Sequence, residues 1–415
     1  MMKHKIFHIS LLVTTFFGIH GAAFAQIQIG GLADFELRKA GDHSSPYINQ
    51  TPGSKLSLYT PNIRLFISGS ISENWFTNLA LQSDYYNSNE LSSPFFSVLN
   101  LNYAPESDSD FMVTVGRFIT PYGVYSERVL SSDNPFVHLP LTHASGLPIS
   151  KRIGFFSGGT YNPEISQSLY GENETGLTMV YQRMYTQGIK ISGNIGETEW
   201  LSYNLGATLA PASTHLEYGQ YNKPALTGRI FLKPTVWAQL GFSLSTGAFL
   251  KEDTANDTLL AYDLSSYNQN LLGADLKFSY RYYTLLFEYN HSYWKAPYYD
   301  PGSSTSATRT TGEATIGHVS GEFIVNFPFL VGSYAALRYE TMSSGDIETY
   351  TSNFSYSSYS NLNKKTWTYD RERIEFVAGY KLQRNIILKA SYLYSDDSGP
   401  DLDDNVFTLQ LSVLF

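Results

Sequence analysis

The chain contains no cysteine. An exported protein without cysteine has no disulfide framework and no thiolate metal site. Charged residues are sparse at 16%, and the formal net charge of −9 excludes the basic footprint that nucleic-acid binders carry. After Gln26 no run of 18 apolar residues occurs, because polar side chains interrupt every few positions. That excludes an ordinary transmembrane helix. There is no G-x-G-x-x-G, no Walker loop, no HExxH and no heptad repeat. Dinucleotide-binding and zincin chemistry have no motif to stand on, and no cofactor or metal is expected.

What is abundant is aromatic. Tyr and Phe number 32 and 26 in 415 residues, yet mean hydropathy is only −0.20. A barrel in lipid needs apolar residues on one face of each strand and aromatic girdles at both interfaces. Both demands raise Tyr and Phe without raising mean hydropathy.

The first 25 residues read as a signal peptide. Lys3 and Lys5 precede an apolar stretch from Ile6 to Ile19, and Ala23-Phe24-Ala25 fits the small-x-small cleavage pattern. The stretch is shorter than the roughly 20 residues that a spanning helix needs. Cleavage between Ala25 and Gln26 is expected, and loss of the two lysines takes the net charge to −11. Residues 26–415 then form one domain.

The strand signal is clearest at the C-terminus. From Val406 to Phe415 the side chains of Phe407, Leu409, Leu411, Val413 and Phe415 alternate with Thr408, Gln410 and Ser412. That is period two over the length of a tilted membrane strand. The pattern recurs backwards through the chain, and it predicts sixteen strands. Their spans are 27–38, 58–70, 75–86, 95–104, 110–118, 187–196, 200–210, 225–233, 237–250, 270–281, 283–294, 315–327, 331–343, 371–382, 386–395 and 406–415. Short turns alternate with long loops at 39–57, 119–186, 211–224, 251–269, 295–314, 344–370 and 396–405, with a shorter one at 87–94. This predicts an all-β transmembrane antiparallel β-barrel of about sixteen strands, with both ends on the periplasmic side. No N-terminal plug is expected, because the first strand follows the cleavage site.

Parity sorts the charges, since a charge facing lipid at mid-membrane costs about 2–4 kcal/mol. The expected pore wall is Arg38, Arg64, Lys190, Arg229, Lys277, Arg338, Arg373 and Lys389. Lys233, Arg281 and Lys381 share that face. Asp34, Glu36, Asp84, Asp275, Glu288, Glu322, Glu340 and Glu375 are the inward acids. A lumen lined with both signs is expected to be filled with water, not hydrocarbon. Arg117 breaks parity with Phe111, Val113 and Val115, which implies a bulge or a strand that has left the lipid.

The loop at 119–186 is far longer than a connector requires. Phe136, Val137, Leu139, Leu141, Ile149, Ile153, Phe155 and Phe156 call for burial, and Pro121, Pro135, Pro140, Pro148 and Pro163 stiffen it. Such a loop on a wet barrel is expected to fold inward. Glu127, Arg128, Asp133, His138, His143, Lys151 and Arg152 are the candidates for a pore constriction. Acid on the loop facing base on the opposite wall would set up a transverse field.

The terminal Phe415, the long third loop and the VGRFITPYG junction within residues 113–123 resemble Gram-negative outer-membrane porins, including the phosphate-selective and related families. The resemblance implies an outer-membrane channel for passive diffusion of small hydrophilic solutes or ions. It implies recognition of Phe415 by the barrel assembly machinery, contact with outer-membrane lipid and lipopolysaccharide, and a homotrimer. A substrate-selective channel with a lumen binding site is the first alternative. The second is a surface adhesin that acts through the Tyr/Ser-rich loop at 344–370. The acidic run at Asp396-Asp397 and Asp401 to Asp404 is expected to be solvated. An enzyme is not expected. His318-Val319-Ser320 points a histidine and a serine to one side of a strand, but the sequence supplies no third partner.

Overall fold

The computed structural model describes residues 27–41, 55–84, 91–105, 110–151, 154–156, 176–196, 199–215, 223–251, 263–299, 308–353, 356–398 and 405–415. Alternating side chains build sixteen antiparallel barrel strands among them. In chain order these are β1 (Ile27–Ala40), β2 (Ser57–Ser70), β3 (Trp75–Asp84), β4 (Phe95–Tyr103), β5 (Met112–Ile119), β6 (Tyr185–Ile195), β7 (Leu201–Thr208) and β8 (Ala225–Thr235). They continue as β9 (Ala238–Ala248), β10 (Asn268–Tyr280), β11 (Tyr283–Tyr299), β12 (Thr308–Asn326), β13 (Ser333–Asn353), β14 (Arg371–Gln383), β15 (Ile386–Asp397) and β16 (Val406–Leu414). Each pairs with its neighbours in sequence, and β1 closes the barrel on β16 from Leu32 opposite Leu414 to Ala40 opposite Val406. Closure leaves no free edge, so every wall N–H and C=O can be paired without water.

The strand boundaries read from alternation hold within a few residues, except at the long-loop end between β11 and β14. There β13 runs ten residues beyond the expected stop, and a strand at Tyr356–Thr366 returns along it. The expected loop at 344–370 is thus largely a β-hairpin that continues β13 beyond its pairing with β14. Its Thr and Tyr residues favour extended backbone, but the apolar alternation that marks a membrane strand ends before it. The predicted signal peptide, with Ala25 and Gln26, lies outside the described residues.

Burial confirms the two-faced strands. Along β14, Ile374, Phe376 and Tyr380 are exposed to the outside, while Arg373, Glu375 and Val377 are buried toward the lumen. At the turn end the first and last strands meet. Gly31 and Phe415 exchange both backbone hydrogen bonds, at 2.7 and 3.0 Å. Arg117 sits two residues from the end of β5, and no register shift occurs there. Its guanidinium donates to the Phe96 carbonyl at 2.7 Å and lies over the Tyr185 ring. The strand is ending at this point; there is no bulge.

Candidate functional site: the lumen and its inserted loop

The chain leaves β5 through Thr120 and Pro121 and turns into the barrel. Gly123 makes the turn with φ of 66°, a region that favours glycine. A Cβ there would stand 2.8 Å from the Glu288 carboxylate. Three wall groups take the loop as it arrives. Asn290 accepts the Tyr122 hydroxyl at 2.8 Å, Ser243 accepts the Gly123 N–H at 3.0 Å, and Glu288 accepts the Val124 N–H at 3.1 Å. Burial pushes the Tyr122 phenol well above its ordinary value, so it remains a donor.

Further along, wall charges hold the loop backbone. Arg128 makes a two-pronged pair with Glu322 at 2.5 and 2.6 Å. The Lys389 ammonium donates to the carbonyls of Ser131 and Asn134, at 2.6 and 2.8 Å. Tyr334 donates to Pro135 O at 3.0 Å. Glu375 accepts the N–H groups of Val137 and His138, and Arg338 donates to both His138 O and Glu375. A one-turn helix at Leu141–Ala144 begins with its first N–H on Glu340, at 2.9 Å. Beyond it, Ile149–Ser150 pairs with Gly154–Phe156, which adds in parallel to the upper end of β11.

Hydrocarbon fills the space between this loop and one side of the barrel. Leu141, Leu147, Ile149 and Phe155 of the loop pack with Trp294, Ile316, Met342 and Trp367 from β11 to the start of β14. Met179 and Val180 of the returning chain, and Phe249 and Leu250 after β9, complete it. This overturns the expectation of a lumen filled only with water. The wall charges there are spent on loop anchors, and inward apolar residues near the strand ends give the loop a surface to cover.

The predicted constriction residues therefore separate. Arg128 is turned onto the wall. His138 is buried with Nδ1 3.0 Å from Glu375 and Nε2 3.3 Å from Thr408. Burial lowers its pKa, against the opposing pull of Glu375. His143 is buried beside Tyr125, with its nitrogens 2.8 Å from Thr142 Oγ1 and Met184 Sδ, and burial takes its pKa down to about 3. Glu127 is half-exposed, 3.4 Å from Arg229 of the wall. Asp133 is exposed near Lys389, Lys151 lies at the loop's far end against Lys251, and Arg152 is outside the described residues. The expected polarity, acid on the loop against base on the wall, holds for Glu127 with Arg229 and is reversed for Arg128 with Glu322.

The predicted wall residues separate too. Arg229, Arg338 and Lys389 are buried in pairs with acids or carbonyls. Lys190 lies 5.4 Å from the Phe118 ring centroid, and Lys277 is half-buried near the turn end. Arg38, Arg64 and Arg373 do line open space. They border a cavity of about 160 Å³ between the loop face and the wall formed by β1 to β3 and β14 to β16. Asp34, Glu36 and Asp84 face the same space, with Tyr59, Asn62 and Gln82. Arg183 also enters it from the stretch before β6, which carried no clear strand signal. It pairs with Asp84 at 2.8 Å.

No protein-family model and no curated protein matches the sequence. Among solved structures the barrel is similar to OmpT, an outer membrane protein of Vibrio cholerae, at a TM-score of 0.50. Identity is 8%, over 96% of this chain and 100% of that one. The chain shares the barrel fold of that outer membrane protein. Other similar solved structures include Salmonella typhi OmpF in complex with daunomycin, at TM-score 0.48 and 12% identity over 94% and 98% of the two chains. A porin refined at 1.8 Å has a TM-score of 0.48 and 7% identity, over 94% and 100%. At such identities the likeness is one of fold. The inward third loop and its anchors are this chain's own geometry.

Proposed function

We propose that the chain is an outer-membrane channel that passes small hydrophilic solutes along the gap between the inserted loop and the β1–β3 wall. The observation behind this reading is the asymmetry of the lumen. One side is closed by the loop's hydrocarbon core, and the other keeps an open cavity lined by arginines, carboxylates and amides. A sixteen-stranded barrel is wide enough for an aqueous path, and the loop narrows that path to one side. Planar-bilayer recording of the refolded protein tests the proposal. Stepwise currents of small unitary size are expected, and a membrane that stays silent would overturn it.

No catalytic role is proposed for His318. Its Nε2 lies 3.2 Å from Glu340 and its Nδ1 3.3 Å from the Asn290 amide, so both ring nitrogens are engaged away from Ser320.

Self-association is proposed through the outward face of β4 to β7. Exposed side chains there are aliphatic at mid-strand: Leu99, Leu101, Val115, Ile189, Ile191 and Leu205. On the opposite arc exposed aromatics also stand along the strands, among them Phe287, Tyr289, Tyr339, Phe376, Tyr392 and Phe407, whereas on β4 to β7 they are confined to the strand ends, at Phe96, Phe111 and Trp200. Aromatic rings suit the lipid interface, while aliphatic side chains suit a packed protein contact. Chemical crosslinking in detergent should yield a trimer band, which Leu101→Lys should abolish; a persistent monomer in the unmodified chain would refute it.

A further inference from the structure

Arg64 differs from the other arginines that line the cavity. Arg38 is committed to Glu36 at 2.6 Å and Arg183 to Asp84 at 2.8 Å. Arg373 lies across the β13–β14 register from Glu340. Arg64 uses only its Nε, donated to the Asn62 side-chain oxygen at 3.3 Å. Among the described residues no carboxylate comes within 4.0 Å of it and its terminal nitrogens have no hydrogen-bond partner. Two parallel N–H donors on a planar cation match a carboxylate in bidentate geometry.

The acids nearby are already supplied with donors. Glu36 also receives Tyr59 and Gln410, at 3.1 and 2.7 Å. Asp34 receives Ser131 at 2.6 Å and Asn62 at 3.4 Å, and Asp84 receives Gln82 at 2.9 Å. A cation entering here would have to displace these bonds, whereas an anion at Arg64 adds to what is present.

Arg64 also borders a second cavity, of about 240 Å³. Phe66, Ala80, Val98, Val129, Leu130 and Met184 contribute to its lining. Arg64 and Arg183 both stand between a polar space and a mainly apolar one, and Arg183 is already paired with Asp84. Apolar groups leave water for such a pocket at a gain proportional to the area covered.

We propose that Arg64 is the anion-binding group of this passage, and that its ligand is a small organic carboxylate whose apolar part occupies the cavity beside Phe66 and Val98. The proposal rests on the channel reading for its place in transport, and names the solute class of that channel.

Titration calorimetry of the full refolded barrel in detergent, with benzoate, acetate and inorganic phosphate as probes, tests it. Saturable benzoate binding is expected, at least tenfold tighter than acetate or phosphate. Arg64→Gln should weaken benzoate at least tenfold, and Arg64→Lys should weaken it less, because charge remains while the fork is lost. Each variant is first shown to be folded by its heat-modifiable mobility on gels. Phosphate binding as tight as benzoate, or benzoate binding unchanged in Arg64→Gln, would overturn the proposal. Bilayer currents with no benzoate binding would remove this site and leave the channel standing. Arg64-dependent benzoate binding without currents would support the site and remove the channel.

Discussion

Glu375 holds His138 twice: one carboxylate oxygen accepts the His138 backbone N–H at 3.1 Å and lies 3.0 Å from its ring Nδ1. Arg338 closes the contact from the other side, donating to the His138 carbonyl and to the second Glu375 oxygen. A wall carboxylate and a wall guanidinium thereby fix both ends of one loop residue. The barrel uses its inward charges as clamps as much as lumen lining.

Removing Glu375 tests that clamp. Breaking one partner out of a buried charged set costs about 3–5 kcal/mol. The Glu375→Ala barrel should still form, because the wall hydrogen bonds do not depend on it. The loop should lose its seat, and added protease should cut between 130 and 150 much faster than in the parent. Equal cutting rates would show that Glu375 does not anchor the loop.

The pair of Arg128 and Glu322 should be energetically coupled. Both side chains are nearly buried and their geometry is bidentate. A double-mutant cycle with Arg128→Ala and Glu322→Ala, read by hydrogen exchange of the loop amides, should give about 1–3 kcal/mol of coupling. Additive single effects would argue against a direct pair.

Loop attachment should weaken as pH falls. His143 has a pKa of about 3 in the folded barrel against an ordinary 6.5, and burial shifts His138 in the same direction. Above 6.5 both states are neutral at these sites. As pH falls from 6.5 toward 3, the released loop takes up protons that the seated loop does not, so seating loses free energy across that window. Loop protection measured by hydrogen exchange should decline over this range, and less steeply in His143→Asn. A flat profile would contradict the assignment.

The hydrocarbon in the lumen should be worth as much as a soluble core. Trp294 is fully buried, edge-on to Phe249. Trp294→Ala should destabilise the seated loop by about 3–5 kcal/mol through lost burial and the cavity left behind. Protection of the loop amides is again the readout. A loss under 1 kcal/mol, roughly what one buried methylene contributes, would mean that the loop is held by its polar anchors alone.

The wall was legible in the sequence because its rule is local. Alternation over ten residues reports which side chains meet lipid, and Phe407 to Phe415 or Ile374 to Leu382 state it without reference to any other strand. Hairpin turns such as Arg281-Tyr282 then fix neighbour pairing. The burial demand of Phe136, Leu141, Ile149 and Phe155 also announced that the loop must cover itself. What alternation could not reveal is where the loop goes. Its wall partners lie some 97 to 270 positions away, from Ser131 with Asp34 to His138 with Thr408. No local pattern encodes contacts across a lumen. Inward charge on a strand reads alike whether it borders open space, as Arg64 does, or a loop carbonyl, as Lys389 does. Parity put both inside the barrel; only the closed tertiary structure, by bringing the loop against one wall and not the other, decided which became an anchor and which was left facing open space.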